Sequence, residues 1–174
     1  MTLLVADGGR RSLRDVLPSE VAVVDADAVS EAVARDAPDV VVVDAGAVAE
    51  PGAVVDAVRA TDPGSAVVVV GTTGTDADVT CATADRASVH AAVERAERIA
   101  DYRQSVTALY EASRDRALGR PDADLRDVRR DADAKFDDLP ADRETFAAAL
   151  RPDDRDAAGD DDTSADDGLG GVDG

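Results

Sequence analysis

Two stretches of this chain, Val40-Val41-Val42-Val43 and Ala66-Val67-Val68-Val69-Val70, are apolar at every successive position. β-Branched side chains suit a pleated backbone. A strand with one wet face alternates apolar and polar residues, whereas an unbroken run needs cover on both faces, as central strands of a parallel sheet have. Shorter runs of the same kind lie at Leu3–Ala6, Val21–Val24 and Val79–Ala82. Between them the pattern predicts helices over about Arg11–Leu17, Asp27–Arg35, Ala53–Ala60 and Ala87–Leu118. Asp27 and Ser88 are the expected N-caps, and Pro63-Gly64 is a helix stop. Such alternation predicts an α/β fold with a parallel five-stranded sheet and right-handed crossovers. One crossover is short: only Gly71–Asp78 separate the last two strands, too few residues for the usual helix. A fourth crossover helix is therefore expected to be absent.

The last of these helices is unusually long. Val89, Ala92, Ala96, Ile99, Arg103, Val106, Tyr110, Ser113 and Ala117 step along it by threes and fours. That is the period of a coiled-coil seam. Val89, Ala92, Ala96, Ile99, Val106 and Tyr110 are its candidate dimer or interaction residues, although Arg103 and Ser113 interrupt it. An amphipathic helix that packs on its own chain would read the same way, and the two readings stay open. Gly119-Arg120-Pro121 ends the helix. A second helix is expected from about Asp122 to Leu139, and a third over about Arg143–Leu150. From residue 151 onward Asp, Gly, Ala and Ser dominate, which predicts a disordered acidic tail. The division expected is 1–100, an α/β domain; 101–150, a helical domain; and 151–174, the tail.

Net charge is −19, and only one of the 19 basic residues, Lys135, is lysine. Abundant Asp, Ala and Val with scarce Lys resembles the composition of proteins from extreme halophiles. Molar salt shortens the Debye length to about 3 Å. Self-repulsion is then screened, while hydrated carboxylates maintain solubility. An acidic protein from a GC-rich genome is the alternative source of this composition. No basic cluster is visible and phosphate-driven binding weakens with salt, so direct nucleic-acid binding is disfavoured. No apolar run is long enough to cross a membrane. The first residues lack the basic start of a signal peptide, so a cytoplasmic location is expected. The single Cys81 excludes an internal disulfide and a thiolate zinc site. His90 has no second ligand group at metal spacing.

Asp7 and Asp44 each follow an apolar run, which places both at carboxyl ends of strands. In a flavodoxin-like sheet of order 2-1-3-4-5, strands one and three are neighbours, and ligands bind in the crevice above them. Two carboxylates there could hold Mg²⁺, and a carboxylate can act as a nucleophile toward phosphorus. Two surface aspartates at strand ends are the plainer reading. Gly71-Thr72-Thr73-Gly74-Thr75 lacks the lysine of a phosphate-binding loop.

Leu3-Leu4-Val5-Ala6-Asp7 resembles the opening strand of response-regulator receiver domains, and Pro38-Asp39-Val40-Val41-Val42-Val43-Asp44 resembles their third strand. Pro51-Gly52 with the helix after it, and Asp85-Arg86-Ala87-Ser88-Val89, also match the family in place. The resemblance implies a phospho-acceptor at Asp44, Mg²⁺ held by Asp7 and Asp44, and a switch hydroxyl at Thr72 or Thr73. It also implies a non-enzymatic role in two-component phosphorelay signalling, with a histidine kinase as partner. The departures are an acidic pair reduced to Ala6-Asp7, Ala82-Thr83 where the family has its lysine, and the short fourth crossover. They describe a degenerate receiver. Asp101-Tyr102, Leu109-Tyr110-Glu111-Ala112-Ser113-Arg114, Leu125 and Phe136 loosely resemble the HalX domain, a helical unit that follows receivers in haloarchaeal regulators. Three functions stay open: a phosphorelay protein, a phosphorylation-independent interaction module that forms a homodimer or docks a partner through the long helix, and a small-ligand-binding α/β domain.

Overall fold

The computed structural model describes residues 2–5, 13–17, 21–120 and 124–151. Five strands form one parallel sheet: β1 (Thr2–Val5), β2 (Ala22–Val24), β3 (Val40–Asp44), β4 (Ala66–Val70) and β5 (Val79–Cys81). Their order is β2-β1-β3-β4-β5, and every neighbouring pair is parallel. Helices α1 (Val29–Asp36), α2 (Pro51–Thr61), α3 (Arg86–Ala117), α4 (Leu125–Asp137) and α5 (Arg143–Ala149) complete the described elements, with a 3₁₀ turn at Ala26–Ala28.

The unbroken valine runs explain themselves once both faces are seen. All five residues of β3 and all five of β4 are buried. Leu3, Val5, Val41, Val43, Val67 and Val69 pack with Val29, Ala32 and Val33 of α1 and Val54, Val55 and Val58 of α2. On the opposite face, Val40, Val42, Ala66, Val68, Val70, Val79 and Cys81 meet Val89, Ala92, Val93, Ala96, Ile99 and Ala100 of α3. Leu139, Ala148 and Ala149 belong to that same cluster, so the C-terminal helices close the core of the sheet. Tyr102, Phe136 and Phe146 join α3, α4 and α5, with ring centroids 5.6 Å apart in each of the two pairs.

Several local expectations need correction. Leu13–Leu17 form turns, with Val16 N–H and Leu17 N–H donating to Leu13 O, and no helix starts there. Asp27 lies inside the 3₁₀ turn and caps nothing. The cap of α3 is Asp85, whose side chain accepts from Ser88 N–H, so Ser88 is the donor of that cap. The start expected at Asp122 lies outside the described residues, and α4 begins at Leu125 behind the cap Asp124. α2 opens on Pro51, where a missing N–H has no cost. α3 ends in a Schellman motif: Gly119 has φ +71°, its N–H donates to Arg116 O, and Arg120 N–H donates to Asp115 O.

No helix lies between β4 and β5, where residues 71–78 cross in irregular backbone. Ala77 packs on the α1/α2 face of the sheet, while Thr80 in β5 is exposed. The residues expected to carry an interaction seam divide between two environments. Val89, Ala92, Ala96 and Ile99 are buried against the sheet of their own chain. Val106 (40%) and Tyr110 (68%) remain exposed on the distal half of α3. No described helix is long and apolar enough to cross a membrane.

Candidate functional site

Asp44 is the last residue of β3, and its register places it opposite Val70 at the carboxyl end of β4. It is 6% exposed. The chain then turns tightly: Ala47 N–H and Val48 N–H donate to Asp44 O, and Gly46 N–H donates to Asp44 Oδ1 over 2.9 Å. A Cβ at Gly46 would stand 3.3 Å from that Oδ1, so glycine lets the amide close on the carboxylate. Ala45 N–H donates to Val70 O, which pins the turn to β4.

Val5 pairs with Val43, so β1 reaches the same edge beside Asp44. Asp7, expected to share this edge, lies outside the described residues. Thr72 and Thr73 follow β4 and stand just beyond Asp44's partner Val70. Thr72 Oγ1 accepts from Gly74 N–H at 3.4 Å, and Thr73 is exposed. Ala82 and Thr83, beyond β5, are exposed, and Thr83 Oγ1 donates to Asp85 Oδ2 over 2.8 Å. Lys135 sits on α4, where its Nζ pairs with Asp101 Oδ2 at 3.3 Å. The described residues gather no group of three acidic, histidine or cysteine side chains able to hold a metal ion. Asp44 is thus the described carboxylate with the position expected of an Mg²⁺ ligand.

His90 and Cys81 have structural partners. His90 Nε2 lies 2.8 Å from Val16 O, tying the Leu13–Leu17 turns to α3. The buried Cys81 thiol donates to Thr83 O.

A second polar centre lies at the opposite, amino edge of the sheet. The Asp78 side chain is 0% exposed and pairs with Arg103 at 2.6 Å, Arg151 at 3.1 Å and Arg59 at 3.7 Å. Asp78 Oδ2 also accepts from Val67 N–H over 2.8 Å. Arg103 donates further to Ser65 O and Ala148 O. Asp76, just before it, has an exposed side chain that bridges Arg59 and Arg151. A groove of about 1200 Å³ opens beside this cluster, between Pro38, Pro63, Tyr102, Val106 and Leu150. Sequence reading missed the centre and took Arg103 as a flaw in a seam. The one available signal was an arginine among the apolar residues of a helical stripe, a charge that must find a partner wherever that stripe is buried.

The chain matches no protein-family model, no curated protein and no solved structure.

Proposed function

We propose that this chain is a flavodoxin-like, receiver-like signalling module of a two-component phosphorelay, with Asp44 as phospho-acceptor and a histidine kinase as donor. The observation that carries the reading is the position of Asp44. It ends β3, beside β1, in a sheet of order β2-β1-β3-β4-β5. There the strand order reverses and a crevice opens above the carboxyl ends. A carboxylate oxygen of Asp44 attacks phosphorus, the bond from phosphorus to the donor's leaving group breaks, and the leaving group departs with its electron pair. Gly46 N–H, already on Oδ1, holds the side chain in orientation. Asp7 is the proposed second carboxylate, and Thr72 or Thr73 the hydroxyl facing the phosphoryl group. The acidic surface and scarce lysine fit work in concentrated salt inside a cell.

A second reading has its own observation. The edge carries Ala82 and Thr83 where the family has lysine, and the chain's only lysine is paired on α4. On that reading the module acts without phosphorylation, through the exposed distal face of α3 at Val106 and Tyr110.

The test is phosphoryl transfer from acetyl phosphate in molar KCl with Mg²⁺, read by intact mass on the native chain and on Asp44→Asn. One phosphate on the native chain and none on the variant is the expected result. Absence of transfer to a chain shown to be folded would overturn the phospho-acceptor role and leave the interaction module.

A further inference from the structure

Residues 71–78 join the two polar centres. At one end Gly71 adjoins the Asp44 turn: its Cβ position lies 3.8 Å from Ala45 Cβ and from Gly46 N. Gly71 N–H donates to Cys81 O, and its φ of +96° suits glycine alone. At the other end, Asp76 and Asp78 are held by Arg59 from α2, Arg103 from α3 and Arg151 just past α5. Where a helix would insulate the two edges, a single stretch of backbone connects them.

α5 is the element this connection can move. It is seven residues long, and the side chains it buries are Thr145, Ala148 and Ala149. Its large apolar residue, Phe146, is only partly buried against Phe136 and the core, and Leu150 just past the helix is 59% exposed. Small apolar side chains remove little apolar surface from water and so supply little burial energy. Polar locks at the two ends add to that packing. Asp142, with Arg95 and Thr145, fixes the N-terminal end. Arg103 on Ala148 O, and Arg151 on Asp76 and Asp78, fix the C-terminal end.

The segment itself has reason to occupy a second arrangement. Thr75 Oγ1, in its middle, is buried without a hydrogen-bond partner, alone in this among the described side chains. An unpaired buried hydroxyl is unfavourable, so a conformation that pairs it gains that hydrogen bond.

We infer that residues 71–78 are a two-position latch that couples the Asp44 turn to the docking of α5. This rests on Asp44 being the functional edge and adds which element responds to it. A change at the Asp44 turn shifts Gly71, which loosens Asp76 and Asp78 from Arg151 and frees α5. Coupling is reciprocal, so freeing the Arg151 end must also loosen the Asp44 turn.

That reciprocity gives a test that needs no phosphate. Amide hydrogen exchange is measured in molar KCl on the full chain and on Arg151→Ala and Thr75→Val. Arg151→Ala is expected to speed exchange at least tenfold in Arg143–Ala149 and also at Gly46–Val48, with the β3 and β4 amides unchanged. Thr75→Val, which removes the unpaired hydroxyl, is expected to slow exchange in both places. Faster exchange in α5 alone would overturn the coupling, and no change in α5 would overturn the latch. Uniformly faster exchange, β3 and β4 included, would also overturn it, because the arginine would then be a global stabiliser. Failure of phosphoryl transfer to Asp44 is scored separately and leaves this result intact.

Discussion

Ala37 has φ +41° at the C-cap of α1, a left-handed conformation that disfavours a Cβ. Its N–H still donates to Val33 O, so the cap geometry is right and only the residue type is not. Ala37→Gly should therefore raise stability by about 0.5–1 kcal/mol, measured as a shift in the urea midpoint at unchanged slope. Asp85 and Asp142 show the opposite case of residues well suited to their places. Hydrogen bonds from the Ser88 side chain and backbone, then from Thr83, lower Asp85 from the ordinary 3.8 to about 2. Asp142 is lowered chiefly by Thr145 N–H, with Thr145 Oγ1 and Arg95 adding to it. Carboxyls lowered in the folded state stabilise it above their unfolded values, and that contribution disappears as pH falls through the folded ones. The double variant Asp85→Asn/Asp142→Asn should lose less stability than the native chain between about pH 4 and 2. Parallel pH profiles of the two chains would sink this assignment.

At the scale of elements, α3 shows what a linear pattern can and cannot settle. The threes-and-fours spacing from Val89 to Ile99 was legible in the sequence, and so was the length of the helix. What covers that stripe was not, because a sheet of the same chain and a second helix both satisfy a 3.5-residue period. Arg103 decides the matter locally, since it reaches Asp78, a residue twenty-five positions earlier. Removing one partner of a buried ion pair leaves an uncompensated charge. Arg103→Ala should destabilise by about 3 kcal/mol, toward the lower end of the buried-pair range because Arg59 and Arg151 remain near Asp78. Asp78→Asn/Arg103→Met should cost less than the sum of its two single changes in equilibrium unfolding. Additive costs would mean the pair does not interact. The missing crossover helix was legible for a simpler reason: the stretch from Gly71 to Asp78 is too short for one. Leu13–Leu17 escaped the same reading, because apolar spacing over so few residues fits turns as well as a helix.

For the whole molecule, the valine runs marked strands buried on both faces, whereas the order 2-1-3-4-5 came only with the expectation of a flavodoxin-like sheet. The strand-end position of Asp44 was equally visible, since it closes a buried strand. Asp7 lies outside the described residues, and the arginine centre at the opposite edge was not legible, because it assembles from α2, α3, the 71–78 segment and the residue after α5. Net charge frames the stability of all these parts. At −19 the folded chain repels itself in dilute buffer, and salt relieves this as the Debye length contracts. Helical circular dichroism should therefore fall steeply when KCl is lowered from molar to about 0.1 M, and recover on restoring it. A flat signal across that range would remove the halophilic reading.

The aromatic triad of Tyr102, Phe136 and Phe146 carries an optical consequence. The chain has no tryptophan and two tyrosines, of which Tyr110 is exposed and Tyr102 stacks where α3, α4 and α5 meet. A Tyr110→Phe chain would hold a single tyrosine, placed at the junction that must loosen if α5 departs. Its emission would then report the docking of the C-terminal helices without any added label.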